Sequence, residues 1–489
     1  MRRKTGKENK TKEKRKTYLK EFLYFLLLFT TVSLPVFSLT FIAYFEPSSL
    51  NQVLFHMHMT LTQDALSASL TPIYFGLFNT FYISVICYVL TLLPFRVIRR
   101  NRKIFKVSFI LIFVIAAFGI CEKELKASRF LMTVFEGPSR FYQEHYQDPK
   151  EAHFSFPAHK RNLIVVFLES VENSYFDERL FGENLMPHFS TLMQENVTFN
   201  GYQAIDGTQW TIGSHVAMLC GVPLKTAVTK NSKNPEKKTF LKNLYCFPEL
   251  MRDNGYITSY MKGAHLSFAD TDVFLKDHGF VRLKGNESTI GHPLPDSEIG
   301  AFAGLRDRIT YQNALEEIRF LNAQEKPFFF ALLTLDTHFP EGFYDPQCGA
   351  RKNNDFSDIV RCADTMLFTF YDDLKKEGFL DNTTVIFIGD HLTMRNDVFT
   401  KVLQNKDRQI VNAFINPLNK PLLSNRQYTA MDMAPTFLEA IGITNSKHSF
   451  GLGRSLFSEE KTLIEALPLF DVRKSLDRRS KLYQNFIEN

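Results

Sequence analysis

The chain has few cysteines, and none of them is arranged for metal binding. Its six cysteines include no CxxC spacing, so a zinc site built on thiolates is only weakly indicated. Net positive charge is absent after residue 20, because residues 1–20 carry ten Lys and Arg against two Glu while the whole chain has a net charge of only +6. This distribution indicates a basic tail beside a membrane and argues against a nucleic-acid-binding surface.

Three apolar stretches are long enough to cross a bilayer, which takes about 20 residues. They cover residues 21–44, 71–95 and 104–120. A cleaved signal peptide is the alternative for the first, but its apolar region is too long and further spans follow. Residues 45–70 contain no Lys or Arg, whereas residues 96–106 contain six. Because basic loops stay on the cytoplasmic side, we expect everything after residue 121 to lie outside.

The composition predicts five segments along the chain. They are a basic cytoplasmic tail (1–20), a three-span membrane domain (21–122), a connector (123–158), an exported globular domain (159–457) and a C-terminal extension (458–489). The connector mixes aromatic and charged residues, and we expect it either to lie on the membrane as an amphipathic segment or to pack on the globular domain as a helix. The extension is charged and is expected to pack on the domain surface.

Four cysteines fall in the exported part, and they form two close pairs in sequence, Cys220 with Cys246 and Cys348 with Cys362. An oxidising compartment favours disulfides between them, and pairing each with its neighbour would close two short loops. Four cysteines allow three connectivities, and the sequence alone does not choose among them.

The exported part alternates short apolar runs with helical patterns, which predicts an α/β fold. The predicted strands are Leu163–Leu168, Thr258–Lys262, Phe328–Leu335, Thr384–Ile388 and Val411–Ile415. The predicted helices are Leu185–Glu195, Phe240–Asn254, Tyr311–Asn322, Asp355–Glu377 and Asp432–Ile441. Continuously apolar strands separated by helices indicate a mostly parallel sheet covered on both faces. In such sheets functional groups gather beyond the carboxyl ends of the strands.

Polar side chains stand at those strand ends. Glu169 directly follows one apolar run, and Asp390 with His391 follows another. A helix N-cap is the alternative for Glu169, and a simple turn would explain Asp390 but not the adjoining His391. Carboxylate oxygens and an imidazole nitrogen suit one divalent metal, Mn or Zn, and the ligand types do not separate the two.

The loop Ile205–Ser214 offers a hydroxyl nucleophile for such a metal site. Gly207 lets the backbone of Thr208 approach a metal closely, and a metal would lower the pKa of the Thr208 hydroxyl. We therefore predict Thr208 as the nucleophile. Thr211 and Ser214 are rival candidates, and N-capping is the structural alternative for each. A helix beginning in this loop would point backbone N–H groups at a phosphate.

Further residues are candidates for substrate contacts. His338 follows a predicted strand and is expected to bind a phosphate oxygen or to protonate a leaving group, with a structural loop histidine as the alternative. Lys262 lies at a strand end and can bind phosphate or stay solvated. His265 is a weaker candidate for substrate binding, and a surface or packing role is its alternative, as it is for His278 and His448.

Several motifs in succession resemble the alkaline phosphatase/sulfatase superfamily, and within it the membrane-anchored lipid head-group transferases. They are Leu168–Glu178, Gly207–Leu224, Lys262–Phe280, Asp336–Pro340, Asp390–Leu392, Asp432–Thr436 and Gly451–Leu456. The resemblance is strongest to phosphoglycerol transferases that decorate periplasmic glucans, and weaker to lipoteichoic acid synthases and to lipid A phosphoethanolamine transferases. It implies an alkaline-phosphatase-like domain in the periplasm, anchored in the bacterial inner membrane.

The resemblance also implies roles for individual residues. Glu169, Thr208, Asp390 and His391 would ligate one metal, Thr208 would be the nucleophile and His338 would contact the substrate phosphate. The glucan-modifying relatives resemble this chain in all four exported cysteines, which supports the neighbour pairing.

The activity implied by the resemblance is transfer of phosphoglycerol from phosphatidylglycerol to a periplasmic glycan or lipopolysaccharide sugar, through a phospho-threonine. Phosphoethanolamine transfer to lipid A or core sugars and metal-dependent phosphoester hydrolysis are the alternatives.

Three departures from the relatives stand out. The Phe-Trp-Asn-Arg-Asp run of lipoteichoic acid synthases, whose Arg helps to bind glycerol phosphate, is replaced by Phe268–Asp272 without an arginine. Those synthases usually have five spans, and this chain has three apolar stretches. The Cys/Ser-x-Pro-x-Arg signature of sulfatases is absent, which argues against sulfate ester hydrolysis.

Overall fold

The computed structural model describes residues 2–45, 52, 63–93, 100–125, 128, 135–225, 228–230, 238–286, 304–423 and 425–487. The chain divides into two compact units. One contains the three long N-terminal helices, and the other contains the described residues from 135 onward.

The first unit consists of α1 (Arg2–Phe45), α2 (Gln63–Leu92) and α3 (Arg102–Leu125). Each contains a segment long and apolar enough to cross a membrane, and these segments are Glu13–Thr40, Tyr74–Leu92 and Arg102–Lys123. The prediction of three spans is confirmed for the described residues, with ends that differ by several residues. Residues 94–99, within the predicted second span and the basic loop, lie outside the described part.

The second unit contains twelve strands among its described residues. They are β1 (Phe154–Ser155), β2 (Asn162–Leu168), β3 (Val228–Lys230), β4 (Lys238–Phe240), β5 (Ile257–Lys262), β6 (Arg282–Lys284), β7 (Phe328–Leu333), β8 (Thr383–Gly389), β9 (Asn412–Ile415), β10 (Thr444–Asn445), β11 (Ser449–Phe450) and β12 (Gly453–Arg454). Its α-helices are α4 (Phe141–His145), α5 (Glu178–Phe181), α6 (Pro187–Glu195), α7 (Thr211–Cys220), α8 (Phe247–Asp253), α9 (Thr271–Asp277), α10 (Asp307–Asn322), α11 (Phe356–Lys376), α12 (Phe399–Val402), α13 (Met433–Ala440), α14 (Leu463–Ala466), α15 (Leu469–Asp477) and α16 (Lys481–Ile487). Short 3-10 helices cover Asn173–Phe176, Phe268–Asp270, Pro346–Cys348, Phe379–Asn382 and Ala430–Asp432.

Six strands form the central sheet in the order β6-β5-β7-β2-β8-β9. All neighbours run parallel except β9, which pairs antiparallel with β8. Alternate residues of β2 enter two separate cores: Leu163 and Val165 lie in one, Ile164 and Val166 in the other. A strand buried on both faces reads as a continuous apolar run, which is why the sequence revealed it. The predicted α/β fold with a mostly parallel, doubly covered sheet is confirmed.

The predicted helix Phe240–Asn254 is wrong in its first half. Phe240 ends β4, Leu241 has a left-handed backbone (φ 48°), and α8 begins only at Phe247. Pro248 explains the late start, because proline lacks a backbone N–H and fits only the first turn of a helix. The capping box of Cys246 and Glu249 then fixes this end.

Both predicted disulfides are present, Cys220–Cys246 and Cys348–Cys362. The first joins the end of α7 to the residue that caps α8, so it ties the helix that begins at Thr211 to the rest of the core.

The helices at the two ends of the second unit, α4 and α16, pack together. Tyr142 of α4 is buried with its ring 5.5 Å from that of Tyr483 in α16.

Candidate metal centre and active site

Three side chains converge where β2 and β8 end. Their ligand atoms, from Glu169, Asp390 and His391, all lie within 4.8 Å of one another, and all three residues are buried. His391 Nε2 is 3.5 Å from Glu169 Oε1 and 3.4 Å from Asp390 Oδ2. The strand register explains the meeting, because Leu168 pairs with Gly389 in parallel neighbours, so that both chains leave the sheet at the same level.

Gly389 is required for this close approach. A Cβ at this position would lie 2.1 Å from the carbonyl oxygen of Val171, in the loop that follows Glu169. Any other residue would therefore push the two loops apart and separate Glu169 from Asp390.

The donor atoms of this cluster fit a divalent metal. Asp390 Oδ1 accepts hydrogen bonds from Ser170 N (2.8 Å) and His391 N (2.7 Å), whereas its Oδ2 is buried and makes no hydrogen bond with any described residue. A buried carboxylate oxygen without a partner is costly unless a cation compensates it. Two carboxylates and one imidazole, joined by a hydroxyl, suit Zn or Mn. A second group, Cys246, Glu249 and His278, is not comparable, because Cys246 is in a disulfide.

Burial and the charges of neighbouring groups shift the pKa values of Glu169, Asp390 and His391. Burial and the charge of Glu169 raise the pKa of Asp390 to about 7. Burial also raises the pKa of Glu169, but the charges of His391 and His338 outweigh it and lower that pKa overall. For His391, burial lowers the pKa and the two carboxylates raise it by more. The cluster therefore concentrates negative charge at one buried point, as a cation site requires.

The structure brings Thr211 to this cluster in place of Thr208. The Thr211 hydroxyl lies 3.3 Å from Glu169 Oε2 and 3.4 Å from His391 Nε2. Thr208 is fully buried, and its hydroxyl donates to the carbonyl of Ile205 within its own loop. These contacts favour Thr211 over Thr208 as the hydroxyl beside the cluster, because Thr211 is half-buried at the first position of α7, and the identity of the nucleophile stays a proposal.

His338 lies near the cluster, and its role toward the substrate stays a prediction. Its charge is among the causes that lower the pKa of Glu169, and its Nδ1 is 2.6 Å from the carbonyl of Phe339. Lys262 is buried at the end of β5, and its charge contributes to a lowered pKa at His215. His265 is half-buried in the turn after β5, where its carbonyl accepts from Phe268 N. Substrate roles for Lys262 and His265 stay predictions.

His278 and His448 have structural partners. Nε2 of His278 is 2.8 Å from the carbonyl of Phe240, and Nδ1 of His448 is 2.7 Å from Glu439 Oε1. The packing role weighed for these two histidines agrees with these contacts.

Several supporting hydroxyls were missed by the sequence reasoning. Ser170 donates to Glu169 Oε1 (2.6 Å) from a left-handed backbone (φ 56°), and Thr337 donates to the Glu169 carbonyl (2.6 Å). Ser214, weighed as a nucleophile or as an N-cap, donates instead to the Asp390 carbonyl. The sequence offers one signal for them: each stands within a few residues of a predicted site residue.

A buried ion pair holds the loop that follows His391. Glu172 accepts from Arg408 Nε (2.9 Å) and from the backbone N–H of Thr393 (3.0 Å), while Arg408 also donates to the Thr393 carbonyl (2.7 Å). Glu172 is fully buried. The pair therefore holds both the backbone N–H and the carbonyl of Thr393, which lies two positions after His391.

We expect Arg408→Met to lower the free energy of unfolding by about 3–5 kcal/mol, because it leaves the charge of Glu172 buried without its partner. Urea unfolding of the full chain in detergent measures this. The double variant Glu172→Gln/Arg408→Met removes both charges and should recover most of the loss. If the single and double variants were equally unstable, the buried charge would not be the cause.

The fold agrees with comparisons to known proteins. A family model described as Sulfatase matches residues 161–443. A protein named Phosphoglycerol transferase I from Shigella flexneri is 31% identical over 330 residues, which is 65% of this chain and 41% of that protein. One of the same name from Escherichia coli O127:H6 (strain E2348/69 / EPEC) is 30% identical over 377 residues, which is 74% of this chain and 47% of that protein. The matched part thus spans less than half the length of these curated relatives.

Among solved structures, a protein in the alkaline phosphatase superfamily from Vibrio parahaemolyticus has a TM-score of 0.52 at 20% identity, covering 74% of this chain and 97% of that chain. This similarity shows a shared fold. The residues that the family model matches include Glu169, Asp390 and His391. The chain belongs to the sulfatase family and has an alkaline-phosphatase-like fold.

Proposed function

We propose that this protein is a membrane-anchored transferase that moves a substituted phosphoryl group, phosphoglycerol, from phosphatidylglycerol to a hydroxyl of a periplasmic glycan or lipopolysaccharide. The observation that carries the proposal is the Thr211 hydroxyl, placed beside Glu169 and His391 at the N-terminus of α7. A hydroxyl beside a metal-binding cluster is the arrangement that covalent phosphoryl transfer needs.

Glu169, Asp390 and His391 would hold one divalent metal, Mn or Zn, with Thr211 next to it. When bound, the metal supplies positive charge that lowers the pKa of the hydroxyl and balances the charge of the phosphate. The first backbone N–H groups of α7 have no partner within the helix and favour an anion at the same point. His338 would orient the phosphate or give a proton to the departing oxygen.

The proposed reaction has two steps. In the first, Thr211 Oγ gives up its proton and forms a bond to phosphorus while the bond from phosphorus to the diacylglycerol oxygen breaks, and that oxygen takes up a proton. In the second, an acceptor hydroxyl oxygen gives up its proton and forms a bond to phosphorus while the bond from phosphorus to Thr211 Oγ breaks, and Oγ takes up a proton. Splitting the transfer this way is the general advantage of covalent catalysis.

The proposal extends to location. The three apolar helices support anchoring in a membrane, and the basic segments 1–20 and 96–106 support a catalytic domain on the far side, the periplasm of a bacterial inner membrane. The phosphoglycerol transferase name of the relatives supports phosphoglycerol as the transferred group.

A donor assay on the full chain tests this proposal. The protein, loaded with Mn or Zn, is offered phosphatidylglycerol and phosphatidylethanolamine separately, each with a fluorescent acyl chain. We expect diacylglycerol from phosphatidylglycerol alone. Release from phosphatidylethanolamine alone would make the protein a phosphoethanolamine transferase. Release of the head group to water at the same rate with and without a glycan would indicate a hydrolase, and release from neither lipid would contradict the proposal.

A further inference from the structure

A cavity of about 150 Å³ lies beyond the ends of β5 and β6, against α10. Its lining includes Lys262, Lys284, Thr310, Asn313 and Glu316. One water occupies about 30 Å³ of liquid, so the cavity has room for about five waters or for a group the size of glycerol. The other lining residues are Met261, Leu305 and Gly285. Because most of the lining is polar, the cavity is unsuited to an acyl chain.

The helix α10 presents a polar stripe to this cavity. Thr310, Asn313 and Glu316 are spaced by three residues and so lie on neighbouring turns of one face. Within the described part of the chain, the Asn313 amide makes no hydrogen bond, and Glu316 makes neither a hydrogen bond nor an ion pair. The amide offers donors and an acceptor, and the carboxylate offers acceptors. These are the groups that bind hydroxyls.

The charges around the cavity favour a neutral ligand over an anion. Lys284 is already paired with Glu317 at 2.9 Å, so its charge is largely compensated. Lys262 brings one positive charge and Glu316 one negative charge to the lining. A phosphate would meet the Glu316 carboxylate, whereas a hydroxyl group can donate to that carboxylate and exchange hydrogen bonds with the Asn313 amide.

The cavity and the metal-binding cluster lie along the same edge of the sheet. Lys262 pairs with Leu333 of β7, and Leu333 pairs with Phe167 of β2, just before Glu169. Neighbouring strands are about 4.8 Å apart, which puts the ends of β5 and β6 on the order of 10–15 Å from Glu169. A glycan whose reacting hydroxyl lies at Thr211 can span such a distance with its next sugar rings, whereas the glycerol of a head group is only three carbons long.

We propose that this cavity is a subsite for a hydroxyl-rich group, bound by Asn313 and Glu316 with Lys262 at its base. The inference rests on the proposed function for its role, since both partners of that reaction carry such groups: the glycerol of the donor head group and the sugar ring of the acceptor. The shared chemistry is that of vicinal hydroxyls.

The variant Asn313→Leu tests the subsite, because leucine keeps the approximate size of asparagine and removes its hydrogen bonds. Asn322→Leu is the matched control, an exposed asparagine at the other end of the same helix. The full chain is purified in a detergent without a sugar head group, so that the detergent does not compete. Binding of a glucose oligosaccharide and of free glycerol is followed by saturation-transfer NMR, and KM is measured for each substrate.

We expect Asn313→Leu to weaken binding of one of these probes about tenfold, the usual order for one lost hydrogen bond. A raised KM for phosphatidylglycerol with weaker glycerol binding assigns the subsite to the donor. A raised KM for the oligosaccharide with weaker oligosaccharide binding assigns it to the acceptor. Asn322→Leu should change neither.

Two results separate failure of this inference from failure of the proposed function. If wild-type protein transfers phosphoglycerol while Asn313→Leu matches Asn322→Leu in binding and in both KM values, the subsite is refuted and the proposed function stands. If wild-type protein transfers nothing, the proposed function fails, and the NMR comparison still decides the subsite: binding lost only in Asn313→Leu supports it, and equal or absent binding in all three proteins refutes it.

Discussion

Replacing Thr211 with alanine is expected to abolish head-group transfer, with a fall in turnover of at least about a thousandfold. The hydroxyl of Thr211 lies beside both Glu169 and His391, and without the proposed nucleophile no covalent intermediate can form. Folding should be unaffected, because Thr211 is only half-buried and its hydroxyl does not cap the helix it begins. Diacylglycerol release from phosphatidylglycerol measures the effect.

Thr208→Ala is the matched control. It removes a hydroxyl three residues away whose partner is a carbonyl of its own loop, so it should cost stability on the order of 1 kcal/mol and leave most of the activity. Thr211→Ser keeps a hydroxyl and should retain measurable transfer. Loss of activity in Thr208→Ala together with activity in Thr211→Ala would restore Thr208 as the nucleophile and contradict the geometry.

The second large effect is expected at Asp390. In Asp390→Asn the amide oxygen can still accept from Ser170 N and His391 N, but an NH2 group replaces the oxygen that makes no hydrogen bond with any described residue. That group cannot ligate a cation, so the metal content should fall from about one per chain to near zero, and transfer should fall with it. Elemental analysis after gel filtration measures the metal directly.

The pH dependence of stability in the metal-free protein gives a second test of Asp390. Its pKa of about 7 lies above the usual value of 3.8, so the folded state binds an extra proton between these values. Stability contributed by this group is present below about pH 4 and is lost as the pH rises through 7. Metal-free Asp390→Asn should therefore gain stability relative to metal-free wild type over that range.

Asp432→Asn serves as the control for the metal content, because Asp432 is a buried aspartate outside the cluster that accepts from Thr429 N and Arg454 N. It should keep its metal. Full metal occupancy in Asp390→Asn would remove Asp390 from the ligand set.

The strand ends could be predicted from the sequence because a strand buried on both faces leaves a continuous apolar run, and the first polar residue after it marks the edge of the sheet. Glu169 and Asp390 were found in this way. Their meeting was also predictable, since parallel neighbours deliver their carboxyl ends to one edge.

The hydrophobic pattern could not decide between Thr208 and Thr211 as the proposed nucleophile. Thr208 and Thr211 are three residues apart, and which of them faces the cluster depends on where α7 begins. The helix starts at Thr211 after an extended Trp210, so Thr208 stays in the preceding turn with its hydroxyl turned to Ile205. The late start of α8 is a similar case, decided by Pro248 and by the cap at Cys246. Helix ends depend on such local contacts, which a hydrophobic pattern does not contain.

The most direct test of the account is to trap the covalent intermediate. Metal-loaded wild-type protein is mixed with phosphatidylglycerol in the absence of a glycan acceptor, quenched in acid, digested and fragmented in a mass spectrometer. The account predicts a phosphoglycerol group on Thr211 and none on Thr208 or Ser214. A phosphoglycerol group on either of those residues, or unmodified protein in a sample that releases diacylglycerol, would contradict it.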